Sequence, residues 1–186
     1  MWFALSFTYS KKGKYVLYVN RNKQITPPDT GLLHCGIRLK FTAESEQSRI
    51  FGSIASAINY LGLTNLAKQI WDAGELHLTK IWTEQLQVIV DMVTNHAAFH
   101  NTSYEIDYPF LDQPRFCSNK YLHCLVLSDN FGEKGHVVAV IGKILFDGRN
   151  REAMMLCKET FDWCCNIGCG GYYKEIRKGW RCVRRI

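Results

Sequence analysis

The sequence sets a histidine and a carboxylate at the two ends of one apolar hairpin: Gly135-His136-Val137-Val138-Ala139-Val140-Ile141-Gly142-Lys143-Ile144-Leu145-Phe146-Asp147. Gly142 marks a tight turn between two short apolar runs. Antiparallel neighbours joined by such a turn set the start of one strand beside the end of the next. His136 and Asp147 are thus expected side by side, with the carboxylate accepting the imidazole N–H and fixing its tautomer. These are the base and orienter of a nucleophilic triad, in which a serine or cysteine surrenders its proton to the imidazole. The nucleophile must come from another element.

A nucleophile is best placed at the start of a buried helix. Gly52-Ser53-Ile54-Ala55-Ser56-Ala57-Ile58-Asn59-Tyr60-Leu61-Gly62 is rich in small residues, apolar at helical spacing and stopped by glycine. Small side chains let such a helix pack closely on a sheet. Other candidates lie nearby in sequence. His34-Cys35 is a Cys–His pair, but adjacent strand residues point to opposite faces, and Cys35 has no following helix to lower its pKa. Ser48 and Ser53 flank the helix start. His96 and His100 stand at i, i+4 in a helical reading, a metal-capable spacing, yet Ala97 occupies the place where a zinc protease carries glutamate.

The helix paired with Gly-His-Val-Val-Ala-Val and Phe-Asp resembles the papain-like cysteine peptidases. The branch it is most similar to includes the leader peptidases of bacteriocin exporters and peptidase domains of mobile elements. The resemblance covers residues 41 to 186. It implies a papain-like α+β fold, a helical part followed by an antiparallel sheet, with His136 and Asp147 as base and orienter. Counting back from Gly62 by the family's spacing, the nucleophile position holds Arg49. The family's oxyanion-supporting glutamine falls at Glu44 or Ala43, and Gln47 is the nearest glutamine, a candidate oxyanion donor. After Asp147, the stretch Arg151–Cys165 resembles the helix that follows the acidic residue in mobile-element members.

The physics at position 49 bears on activity. A thiolate gains about 0.3–1 kcal/mol from the positive end of a helix dipole. Arginine has the opposite charge and no nucleophilic form, so its guanidinium is expected to leave the cleft or to meet Glu44, Glu46 or Asp147. The reading that follows is a pseudopeptidase, catalytically inactive, binding a protein or extended peptide in its cleft or serving as a scaffold. The alternative is an active cysteine peptidase, deubiquitinase-like or polyprotein-processing, whose nucleophile is Cys35 or another residue, or has been replaced by Arg49 in this chain. A third reading is a nucleic-acid-associated domain of a mobile element.

That third reading rests on charge. The chain carries a net +6, and the segment from Tyr172 onward holds +5 of it: Lys174, Arg177, Lys178, Arg181, Arg184 and Arg185 against Glu175. Basic residues interleaved with Tyr172, Tyr173 and Trp180 suit a backbone-tracking groove with stacking rings; Arg181, Arg184 and Arg185 are the candidates. The opposing reading is a terminal strand with charges outward and rings inward, which the alternation around Trp180 supports.

Length and composition frame the whole. The 186 residues, 47% hydrophobic and 13% aromatic, suit a single domain with a real core rather than a disordered chain. No apolar run approaches the roughly 20 residues of a membrane span, and the N-terminus lacks a signal-peptide pattern, so an intracellular protein without a membrane partner is expected. Eight cysteines without a CxxC pair argue for reduced thiols over a zinc site, and no metal or other cofactor is called for. The single domain divides into an N-terminal hairpin and linker (1–30, ending in the breaker around Pro27-Pro28), a helical half (31–120) and a sheet half (121–186). A strand is expected over Gly36–Phe41, a short helix over Asn65–Ala73, and a long one from Leu76 to Phe99 with Leu78, Trp82, Leu86, Ile89 and Val93 on one face. A polar, proline-containing connection follows to Asn119, then strands at 121–127, 136–141 and 143–147, a helix at 151–165 and a last strand from Tyr172. The opening in a strand and the Arg184-Arg185-Ile186 end fit excision from a longer polyprotein.

Overall fold

The computed structural model describes residues 34–42, 49–102, 118–128, 135–157, 159–160, 163–164 and 176–182. The expectations for the 1–30 hairpin and linker, Glu44, Gln47, Ser48, Tyr172, Tyr173, Arg184 and Arg185 lie outside these residues. So does most of the proline-containing connection, over 103–117.

Helices and an antiparallel sheet make this an α+β chain. The elements are β1 (His34–Arg38), α1 (Arg49–Tyr60), α2 (Thr64–Leu76), α3 (Trp82–Thr94), β2 (Phe99–Thr102), β3 (Tyr121–Ser128), β4 (Gly135–Ile141), β5 (Ile144–Phe146), β6 (Glu152–Met155) and β7 (Ile176–Cys182). The strands form one sheet in the order β1-β6-β5-β4-β3-β7-β2 with every pairing antiparallel. The segment 31–120 therefore supplies both edge strands as well as the three helices.

α1 ends as its glycine predicts. Gly62 takes φ +77, its N–H donates to Asn59 O at 2.9 Å, and Leu63 N–H reaches Ile58 O at 3.2 Å. This is the paired bonding of a Schellman cap, which favours glycine at the left-handed position. Gly142 plays the matching part between β4 and β5. It takes φ +57 as the first residue of a two-residue turn, and a side chain there would strike Asn119 Oδ1.

Both faces of the central sheet are buried. Val137, Ala139 and Ile141 of β4, Leu122, Cys124 and Val126 of β3, Phe146 and Trp180 join Ile50, Phe51, Ile54 and Ile58 of α1 and Ile89 and Val93 of α3 in one core. The backbone of Gly135 lies directly under the Trp82 ring on this same face, leaving no room for a Cβ. By alternation, His136, Val138 and Val140 point to the opposite face. They are buried there with Leu125, Leu145 and Met154, and Trp163 and Cys164, also buried, approach that side through the Asp147–Arg149 corner.

Three expectations change. The helix expected over 151–165 begins instead as β6, paired to β5 through Leu145↔Met154 and to β1 through His34↔Met154. Only 159–160 and 163–164 are helical among the described residues of that stretch. Glu-Ala-Met-Met favours a helix in isolation, but burying Ala153 and Met154 on opposite faces of the sheet outweighs a few tenths of a kcal/mol per residue. The helix expected from Leu76 to Phe99 is shorter at both ends. Leu78 lies in the turn before α3, where the buried Gln85 amide donates to Lys80 O at 2.8 Å and His77 O at 3.3 Å; the buried face is Gln85, Ile89, Val90 and Val93. Phe99 has left the helix to pair with Cys182. His96 and His100 consequently share no helix face. The strand expected over Gly36–Phe41 is the shorter β1, irregular at Gly36 with φ +68.

Candidate functional site

The β4–β5 hairpin does bring its two ends together. Its ladder pairs Ala139 with Phe146, so one step further sets Asp147 opposite Val138, diagonal to His136 on the same face. His136 Nε2 lies 3.1 Å from Asp147 Oδ1, with the carboxylate fully buried and the imidazole nearly so. When Nε2–H donates to the carboxylate, the neutral ring keeps Nδ1 as its acceptor.

The turn after β5 then occupies the carboxylate. Asp147-Gly148-Arg149-Asn150 closes with Asn150 N–H to Asp147 O at 2.9 Å. Asp147 Oδ1 also accepts the Arg149 N–H at 3.0 Å, an Asx turn. Arg149 Nε donates to both carboxylate oxygens at 3.0 Å, and its Nη2 makes a close contact with Oδ2. The guanidinium sits 5.5 Å over the Trp163 ring and reaches Cys164 O at 3.5 Å. Cys164 Sγ donates to Asp147 Oδ2 at 3.4 Å. Burial alone would raise the Asp147 carboxyl, but the charge and hydrogen bond of His136 and those of Arg149 outweigh it and hold it well below the usual carboxylate range. Asp147 therefore stays ionised, with Arg149 paired to it beside His136.

Arg49 is the first residue of α1, and the helix is tied to the Asp147 corner by Ser53. Ser53 Oγ donates to Arg49 O at 3.0 Å and accepts the Gly148 N–H at 2.8 Å. Gly148 packs so closely on Arg49 O that a side chain is excluded. One turn on, Ser56 Oγ donates to Phe41 O at 3.0 Å and accepts Phe41 N–H at 3.2 Å, while Gly52 lets the Phe41 backbone approach. The small residues of α1 thus seat two backbone segments. Ser53, wholly buried and engaged on both sides, is a structural hydroxyl rather than a nucleophile. Arg49 opens the helix layer, whereas His136 projects to the other face, with the Asp147–Gly148 corner lying between them. The ion pair to Asp147 comes from Arg149.

Cys35 is no better placed. β1 stands three strands from β4 in the sheet, about 14 Å at about 4.8 Å per strand. Burial first, and then the nearby Glu152 carboxylate, push its thiol up rather than toward the thiolate. His34 Nδ1 turns to the same Glu152 at 3.1 Å. Among the described residues Cys164 is the thiol nearest the cluster, but it is fully buried and its Sγ meets the carboxylate. Cys35, Cys124, Cys157, Cys164 and Cys182 form no disulfide. Among the described residues no three His, Cys, Asp or Glu side chains gather as a metal site.

At the other end of the sheet, β7 sends Trp180 inward and Arg181 outward. Trp180 is fully buried and donates Nε1–H to Thr94 Oγ1 at 3.0 Å, so its ring is not available for stacking on a base. Arg181 is exposed.

The sequence reading missed Arg149, Trp163 and Cys164. Asp-Gly-Arg-Asn is a turn signature that could have pointed to Arg149, because an aspartate opening such a turn accepts the N–H two residues on. No comparable local signal announces Trp163 or Cys164. No described helix is long and apolar enough to cross a membrane. Comparison with protein-family models, with curated proteins and with solved structures finds no match.

Proposed function

We propose that this chain is a papain-like domain without hydrolytic activity, acting as a binding or scaffold module for a protein or an extended peptide. The observation that carries the reading is the occupancy of the Asp147 corner. Arg149 shares the carboxylate that orients His136, and Arg49 stands at the helix start where a nucleophile is needed. The hairpin pair of His136 and Asp147 and the glycine-stopped helix support the papain-like part. The missing thiol, and the exit of His136 from the face opposite α1, support the absence of hydrolysis.

The test is labelling with peptide and ubiquitin-like probes that carry a thiol-directed electrophile, beside turnover of fluorogenic peptides. Neither labelling nor turnover is expected, and Arg49→Cys gives no labelling that depends on His136. Labelling of the unaltered chain that disappears in His136→Ala would mean that another thiol serves as nucleophile, and the reading would be abandoned. His136-dependent labelling of Arg49→Cys would make the fold a competent peptidase one residue short.

A further inference from the structure

We infer that the β2–β7–β3 end of the sheet is a docking edge for single-stranded nucleic acid, centred on the row His100–Arg181–Tyr121. This goes beyond the peptide-binding proposal and uses a different part of the molecule. The register sets Arg181 directly opposite His100 on one side and Tyr121 on the other. Directly opposed residues share a sheet face, so three side chains stand in line at strand spacing, about 4.8 Å apart. Arg181 and His100 are exposed and Tyr121 is half-buried. The Tyr121 ring stacks on His123 at 6.0 Å and 21°, which presets its plane. His123 itself is buried, with Gly179 opposite it on β7 and Val140 on β4, so the exposed part of the row is Arg181, His100 and the outer edge of Tyr121. Lys120, next in the chain to Tyr121, is exposed.

Charge selects the partner. The three strands contain no aspartate or glutamate, while β7 alone carries Arg177, Lys178 and Arg181. A cation flanked by an imidazole and a preset phenol ring suits a phosphate followed by a base: the guanidinium takes the phosphate and the ring stacks on the base. Trp180, the ring the sequence offered for this work, is spent in the core, and Tyr121 is the aromatic that the register brings to Arg181.

Fluorescence anisotropy with labelled 15-nucleotide oligo(dT) and oligo(U), at low and at physiological salt, tests the assignment on the full chain. Binding is expected at low salt, weakening as salt rises with a log–log slope of about −0.7 per phosphate contacted. Arg181→Glu should weaken it tenfold or more and Tyr121→Leu about fivefold, while Arg38→Glu at the opposite edge leaves it unchanged; thermal melts verify that each variant folds. No binding at low salt overturns the inference, as does an equal loss with Arg38→Glu. Equal affinity for polyglutamate or for a duplex of the same length also overturns it, because the ring would then read no base.

Discussion

The two ends of the sheet handle charge in opposite ways. At the β4–β5 corner, His136, Asp147 and Arg149 are drawn inside, and every charge there has a bonded partner. At the β2–β7–β3 end, Lys120 and Arg181 are left outside, while the Trp180 ring goes inward, wholly buried beside the exposed Arg181. An ionised side chain leaves water only when its partners replace the lost hydration. At the corner an Asx turn supplies one partner from the backbone and another from two residues away. The strands β2, β3 and β7 carry no aspartate or glutamate, and Arg181 is left on the outer side of β7 opposite buried Trp180. Titratable residues therefore mark a well-packed structural cluster at one end and an open surface at the other, the reverse of what the residue types suggest in the sequence.

The contrast predicts its largest effect at Arg149. Arg149→Ala leaves the Asp147 carboxylate buried with His136 and Cys164 and should cost about 3–5 kcal/mol in urea unfolding. Asp147→Asn combined with Arg149→Met should recover a good part of that, since a neutral pair has no charge to strand. Acid gives the same test without mutation. The folded Asp147 is held below its unfolded value, so its stabilisation is complete above about pH 4, where the unfolded carboxyl is ionised, and drains away as pH falls below that. Between pH 4 and pH 2 the Asp147→Asn chain should lose stability less steeply than the unaltered chain, by up to one proton's worth, about 1.4 kcal/mol per pH unit. Identical slopes would mean that the carboxylate is not the charged centre of the corner.

What was legible in the sequence follows the same division. The hairpin, the glycine stop of α1 and the alternation in β7 depend on neighbours in the chain, and local pattern reveals them. The failures depend on distant partners. Nothing in Glu152–Met155 announces that β1 and β5 flank it, and there the sheet overrides a helical sequence. The break between α2 and α3 contains no proline or glycine; Gln85 closes it from inside the next helix. The His136–Asp147 contact was legible because one hairpin joins two residues only eleven positions apart. Arg149 stands in the turn that follows, two residues past Asp147, and its guanidinium also lies over Trp163, fourteen positions downstream and brought back by the fold.

A smaller effect separates the two roles of α1. The Ser53 side chain links the helix start to Gly148 across 95 residues of sequence. Ser53→Ala keeps helix propensity but strands a buried N–H, a loss of about 1–3 kcal/mol. Amide exchange at Gly148 should accelerate by more than global unfolding allows, because the corner opens before the core does. Unchanged protection there would show that Arg49 O and the close glycine packing hold the corner without the hydroxyl.

The smallest expected effect lies at the other end and sharpens the comparison by its size. Arg181 is exposed on β7 and no carboxylate stands on β2, β3 or β7 to meet it. Exposed side chains away from caps and cores usually change stability by less than about 0.5 kcal/mol. Arg181→Ala should fall within that range, with relief of repulsion from its basic neighbours offsetting part of the cost, which urea unfolding at low salt would resolve. Its β-propensity loss is partly offset by the same relief. A cost above about 1 kcal/mol would mean that Arg181 is anchored in the fold, leaving it less free to meet a phosphate. A near-zero cost combined with a tenfold loss of oligonucleotide affinity in Arg181→Glu assigns the side chain to binding rather than to folding.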